Sequence, residues 1–348
     1  MKFQSVCIEA FRHVTPDRVV SSAEIKERIA PVYEKLSLVP GRLELMTGVK
    51  ERRFWDPGTP PSQVSHLAGA RAIEAAGIDP RLIGCVVHTS VCRDFLEPST
   101  ASVVHHKLGL PSSALVFDVT NACLGFLNGL VVVANMIELG QIKAGLVVSG
   151  ECAETLMETT IRQLLGDSEP SRKRLKAFFP TLTIGSASAA AVLTHESLSK
   201  TGHHLRGGAF YNASEHYKLC QGSQDTGVAA DKPMSMETDG ETLMKEGCKL
   251  GRRTWEATKA IMGWSNESLD RTFCHQVGKS HRRLLFESLD LNVDRDYETL
   301  PYMGNTGSVS LPFTLSKAAS EGELLAGDKA ALFGIGSGLN CLFLGVEW

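Results

Sequence analysis

The sequence contains no Cys-x-x-Cys pair, although nine cysteines are scattered from Cys7 to Cys341. That odd, dispersed set argues against a disulfide framework or a zinc site and points to reduced thiols in a cytoplasmic protein. Excess charge of one sign is also missing. The 36 Lys and Arg residues stand against 39 Asp and Glu, a formal net charge of -3, which argues against a broad nucleic-acid or anionic-membrane surface. No apolar run reaches the ~20 residues that a membrane-spanning helix needs. The most apolar stretch, Leu124 to Leu139, is interrupted by Asn128, Gly129 and Asn135 and reads as a core helix. The opening run MKFQSVCIEAFRHV reads as a strand and shows neither a signal-peptide core nor a transit pattern, which predicts no export.

What is present is an alternation of strand and helix patterns. The runs 83–91 (IGCVVHTSV), 114–120 (ALVFDVT), 144–151 (AGLVVSGE) and 188–196 (SAAAVLTHE) read as strands, and 61–78 reads as a helix. The second half repeats the scheme, with a helix over 241–264, a strand at RTFCHQV and two closing strands within KAALFGIGSGLNCLFLGVEW. A local echo joins the halves. Residues 121–151 and 305–337 both run turn, helix, Gly, linker and apolar strand. The reading is an α/β protein of two related halves, 1–200 and 201–348. Two polar stretches break the pattern. Residues 164–180, with Arg172, Lys173, Arg174 and Lys176, read as a solvated face, with phosphate contact as the lesser alternative. Residues 210–241 read as a long excursion that covers a site.

Three polar residues sit in unusual settings. In DVTNACLGFLNGL, a helix beginning just after Asn121 would place Cys123 in its first turn. Unpaired N–H groups and the positive dipole end there favour an anion and would lower the thiol pKa. A buried packing cysteine is the competing reading. His275 ends a strand-like run, and Asn305 occupies a Gly-flanked turn before a helix; taken singly, they read as a core histidine and a helix cap. The run GIGSGLN looks like a dinucleotide turn, but only ten residues follow Gly338, too few for a βαβ unit. A nicotinamide cofactor is therefore discarded.

Taken together, DVTNACLGFLNGL, HQV, GNTGSVSLP and GIGSGLNC occur in the order and spacing of the thiolase superfamily, and the chain resembles its ketoacyl synthase III branch over nearly its whole length. That resemblance implies a five-layer αβαβα thiolase fold, a homodimer and a Cys-His-Asn site at Cys123, His275 and Asn305. It also implies a second oxyanion hole from the backbone N–H groups of Cys123 and Ser337. Within the branch, the segment SVCRDFLEPSTAS looks like that of the olefin-forming members, which join two long fatty acyl-CoA chains. Its Glu97 replaces the apolar residue of ordinary synthases. The resemblance makes Glu97 the base that removes an α proton, acting in the partner's site; the competing reading is an interface carboxylate beside Pro98. Leu124, Phe126, Leu127 and Leu130 are expected to line acyl tunnels or to pack the core. The substrates would be coenzyme A thioesters, with no further cofactor and no metal, and downstream olefin-pathway enzymes would be the outside partners. The alternatives are a malonyl-dependent synthase III, a pyrone-forming ketosynthase, a hydroxymethylglutaryl-CoA synthase and a catalytically silent partner subunit.

Overall fold

A computed structural model describes residues 1–39, 41–222 and 236–348. Its strands are β1 (Val6–Val14), β2 (Arg18–Ser21), β3 (Glu51–Phe54), β4 (Ile83–His88), β5 (Leu115–Asp118), β6 (Ala144–Glu151) and β7 (Ala187–His195). They continue with β8 (His204–Asn212), β9 (Cys220–Gly222), β10 (Met236–Thr238), β11 (Arg271–Cys274), β12 (Lys329–Gly336) and β13 (Asn340–Glu347). Of the predicted excursion 210–241, residues 223–235 lie outside the described residues.

Nine strands form one hydrogen-bonded array in the order β11-β12-β13-β8-β1-β7-β6-β4-β5. The first half contributes β5-β4-β6-β7-β1, where β4 pairs parallel with β5 and β6, and β7 runs antiparallel to β6 and β1. The second half repeats these directions: β11 is parallel to β12, and β13 is antiparallel to β12 and β8. Beyond β11, Thr272 makes a parallel bridge to Asp296, in the place β5 holds beyond β4. The halves meet where Cys7 of β1 pairs with His204 of β8.

Both faces of the array are buried, so its strands read as nearly continuous apolar runs instead of alternating ones. Alternate residues nonetheless serve different layers. Cys85 and Val87 face a central cluster, while Ile83 and Val86 face an outer one. In the second half Leu332, Leu342 and Leu344 join the central cluster, and Phe333, Cys341 and Phe343 join the opposite outer one. Helices Gly125–Glu138 and Ser310–Ser320 fill the centre. Helix Pro61–Ala76 covers the first sheet from outside, and helices Gly240–Met262 and Lys279–Leu289 cover the second. These are the five layers of the expected thiolase fold. A fourth apolar cluster builds a helical lobe from residues such as Ile25, Ile29, Leu43, Met157, Leu175, Phe178 and Leu182.

The central helix packs unusually close to the sheet. A Cβ placed on Gly125 would stand 2.2 Å from the Thr89 carbonyl oxygen, so only glycine fits at the helix start. Leu124, Phe126, Leu127 and Leu130 are all buried within the central cluster; Leu124 and Leu127 press on Gly334, and Phe126 packs near Phe11. Among the described residues, no helix is long and apolar enough to cross a membrane.

Candidate active site

The carboxyl ends of the parallel strands collect the polar residues, as is general for open α/β sheets. Cys123 lies where the chain leaves β5 for the central helix. The Asn121 carbonyl accepts the Leu124 N–H at 2.9 Å, and Ala122 takes a φ of 46°, in the left-handed region that few residues other than glycine adopt. This kink holds residues 121–123 out of the helix, whose N-cap is Leu124. The helix thus begins later than the sequence pattern suggests, and Cys123 precedes its first turn.

The expected fall in the Cys123 pKa is therefore corrected. Part of the cysteine surface remains open, but burial pushes the thiol up to about 12, and neighbouring Cys220 and Glu151 act in the same direction. Loss of water outweighs the helix end. Alkylation of Cys123 by iodoacetamide is accordingly expected to be slow at neutral pH and to rise about tenfold per pH unit into the strongly alkaline range, since only the thiolate reacts. A plateau reached near neutral pH in a site-resolved alkylation profile would contradict this.

His275 follows β11, and its N–H donates to the Phe333 carbonyl of β12 at 2.9 Å. Its neighbours on both sides are fixed. The Cys274 N–H donates to the buried Asp296 carboxylate at 3.2 Å, and Asp296 also receives Arg282 at 2.6 Å. The Gln276 side chain accepts the N–H groups of Thr299 and Leu300, each at 2.9 Å. The imidazole itself is buried, and neither ring nitrogen has a partner among the described residues. Burial, helped by His281, lowers its pKa to about 3, so the ring is neutral at physiological pH.

The segment held by Gln276 runs through helix Leu300–Met303 to Gly304 and Asn305. Gly304 has a φ of 66°, and a Cβ there would lie 2.3 Å from the Thr183 carbonyl, so a side chain at this point would displace the turn. The Asn305 N–H donates to that carbonyl at 2.9 Å, while its Oδ1 accepts the Gly307 N–H at 3.0 Å. Asn305 thus closes its own turn instead of capping the following helix. Its amide oxygen is committed, and the Nδ2 hydrogens remain for an incoming acceptor.

Ser337 lies just past the end of β12, where the backbone at Gly336 closely approaches Cys123 and Leu124. Asn340 fastens the two segments together: its Nδ2 donates to the Ser337 carbonyl at 3.0 Å and to Asn121 Oδ1 at 3.3 Å. Asn121 in turn donates to Asn128 in the central helix at 2.9 Å.

Glu97 stands apart from this largely half-buried group. It is exposed on the loop between β4 and helix Thr100–Leu108, beside Phe95 and Leu96, which are 54% and 45% exposed. Two positions escaped the sequence reading. Asn340 gave no signal in the sequence. Glu151 did give one, as a charge closing the otherwise uncharged strand run AGLVVSGE, and the structure buries it at 3% exposure.

A duplicated α/β array of this strand order, matched in full by solved condensing enzymes, is the architecture of the thiolase superfamily's acyltransferases. The comparisons agree. Residues 117–168 match the family described as 3-oxoacyl-(acyl-carrier-protein) synthase III, and residues 260–348 match its C-terminal family. An acyl-CoA:acyl-CoA alkyltransferase of Shewanella oneidensis is 41% identical over the full length of both chains, and one of Xanthomonas campestris is 36% identical over the same span. Cerulenin-bound OleA of Xanthomonas campestris superposes with a TM-score of 0.94 at 36% identity, covering 100% of this chain and 98% of that one. OleA has also been solved with a cysteine, a glutamate or a histidine replaced. This chain belongs to the acyl-CoA:acyl-CoA alkyltransferase family, within the ketoacyl synthase III-like branch.

Proposed function

We propose that this enzyme condenses two long-chain fatty acyl-CoAs without decarboxylation, as the first step of long-chain olefin synthesis. The observation that carries the reading is the half-buried site in which the Asn340 clamp holds Ser337 beside the Cys123 turn, and Gln276 ties His275 to the segment bearing Asn305. In the first half-reaction the Cys123 sulfur attacks one thioester and CoA leaves, with the oxyanion held by the N–H groups of Cys123 and Ser337. The thiol proton ends on the departing CoA sulfur, and neutral His275 keeps a donor nitrogen for the next step. In the second, Glu97 of the partner subunit removes an α proton from the next acyl-CoA. His275 and Asn305 hold the enolate oxygen, and the carbanion attacks the acyl-cysteine. The bond to Cys123 breaks, and a β-ketoacyl-CoA forms; water then releases the β-keto acid and CoA.

The exchanged residue types in the solved OleA variants are those of Cys123, Glu97 and His275, which supports these roles. An exposed apolar loop at Val91, Phe95 and Leu96, next to edge strand β5 with Leu115 at 55% exposure, supports the homodimer that a lent Glu97 requires. The remaining parts of the reading are a nucleophile-bearing half at 1–200, a second half at 201–348, a cytoplasmic location and downstream olefin-pathway enzymes as partners. It calls for no resident cofactor. Leu124, Phe126, Leu127 and Leu130 are buried in the central cluster beyond the nucleophile, where acyl tails would have to pass. The synthase III alternative rests on weaker likeness, such as 28% identity to the Laribacter hongkongensis enzyme.

The basic run becomes the helix Arg172–Leu182, whose N-terminal part shares a cleft of roughly 260 Å³ with Leu38, Arg42, Met46 and Phe179. From there the helix runs about 15 Å to Thr183 and Ile184, which pair with Asn305. A pantetheine arm would span that length, with the CoA phosphates at Arg42, Arg172 and Lys173. Replacing Arg42 and Arg172 together by alanine is expected to raise KM for myristoyl-CoA about tenfold or more with little change in kcat; an unchanged KM would remove the cleft from the account. The function itself is tested by incubating the protein with myristoyl-CoA. Peptide mass spectrometry should find the acyl group on Cys123 with free CoA released, and finding neither would refute the assignment.

A further inference from the structure

Glu151 ends β6 as a carboxylate buried among backbone donors from two different loops. Its Oε1 accepts the Val91 N–H at 3.0 Å, the Ser308 N–H at 3.3 Å and the Ser308 hydroxyl at 2.7 Å. Its Oε2 accepts the Cys92 N–H at 3.2 Å. These four bonds engage both oxygens of a group that can only accept while ionised. Val91 and Cys92 begin the loop that carries Glu97, and Ser308 follows Asn305 by three residues. Gly307 completes the fit, since a Cβ at its φ of 58° would stand 3.0 Å from Glu151 Oε1.

We propose that Glu151 is a positioning residue that anchors the loop bearing Glu97 to the turn bearing Asn305. The base sent to the partner subunit and the enolate donor kept in the same chain then share one rigid support. The inference rests on the roles given above to Glu97 and Asn305, and it adds a residue to which those roles assign nothing. A buried hydroxyl chain extends the support toward the edge strand. Ser308 Oγ lies 2.7 Å from Ser149 Oγ, Ser149 lies 3.0 Å from Ser90, and Ser90 lies 3.2 Å from His88 Nε2. His88 faces Asp118 of β5 at 3.9 Å. A neutral amide cannot replace the carboxylate, because glutamine would turn an N–H toward one of the donors that Glu151 now satisfies.

The test uses the full-length protein and Glu151→Gln, with Ser308→Ala as a milder break in the same contact. Myristoyl-CoA is supplied, and the Cys123 adduct and the condensed product are measured separately. In Glu151→Gln the adduct should form at the wild-type rate or faster while condensation falls about 100-fold, the scale of an ångström-sized misplacement. The Cys123 alkylation profile should also move to lower pH, because a nearby negative charge has been removed. Ser308→Ala should lower condensation about tenfold and leave that profile unchanged. Wild-type condensation in Glu151→Gln, or equal losses of acylation and condensation, would overturn the proposal. A wild-type protein that forms no condensed product would instead refute the function assigned above, whatever the variants do.

Discussion

Cys123→Ala should abolish the covalent adduct and reduce condensation by at least about 1,000-fold, with the fold intact. The magnitude follows from removing the only atom that forms a bond to the first acyl chain; losing a nucleophile removes nearly all of the catalysis its site supplies. Stability should change little, because the shortened side chain is only partly enclosed and, among the described residues, its thiol holds no side-chain hydrogen bond. The neighbouring turn is held by other atoms, namely the Asn121 and Ala122 carbonyls and the Asn340 amide. A thermal melt within a few degrees of wild type, together with a missing peptide adduct, is the expected pair of results. Full condensation by this variant would show that another group takes the acyl chain.

Glu97→Gln should leave acylation of Cys123 intact and stop the second half-reaction, again by about 1,000-fold. The amide keeps the shape of the carboxylate but cannot accept the α proton. Because Glu97 is exposed on its own chain while Cys123 is half-buried at the strand ends, the account makes the site a composite of two subunits. Mixing the Glu97→Gln and Cys123→Ala proteins under subunit exchange should therefore restore about a quarter of wild-type turnover. Half of the random dimers are hybrids, and each hybrid holds one complete site out of two. Activity that stays at background after verified exchange would place the base in the same chain as its nucleophile, or would remove Glu97 from the chemistry.

Much of this was legible before any coordinates. Strand β6 matches its apolar run residue for residue, β4, β5 and β11 fall within theirs and β7 is offset by one residue, because strands packed between layers leave apolar stretches. The recurrence of strand order in the two halves was visible as the echo between the Cys123 and Asn305 segments. The start of the central helix was misplaced because a left-handed Ala122 carries no sequence signature. The sign of the Cys123 shift was missed for a related reason. Helix position is local and readable, whereas the desolvation that outweighs it comes from residues distant in the chain. Asn340 and Glu151 join loops distant in the chain, Asn340 reaching Asn121 and Glu151 reaching Val91, Cys92 and Ser308, about which spacing says nothing. The basic run at 172–176 was read as a solvated face and its four cations are exposed; that Leu38 and Arg42 stand beside it was set only by folding.

The most direct measurement is product analysis with a single long acyl-CoA and no acyl carrier protein or malonyl thioester present. The account predicts a β-keto acid, or its CoA ester, carrying both acyl chains, formed with release of CoA and without carbon dioxide. Acylated enzyme with no condensed product until a malonyl thioester is added would contradict it and leave a decarboxylating synthase in its place.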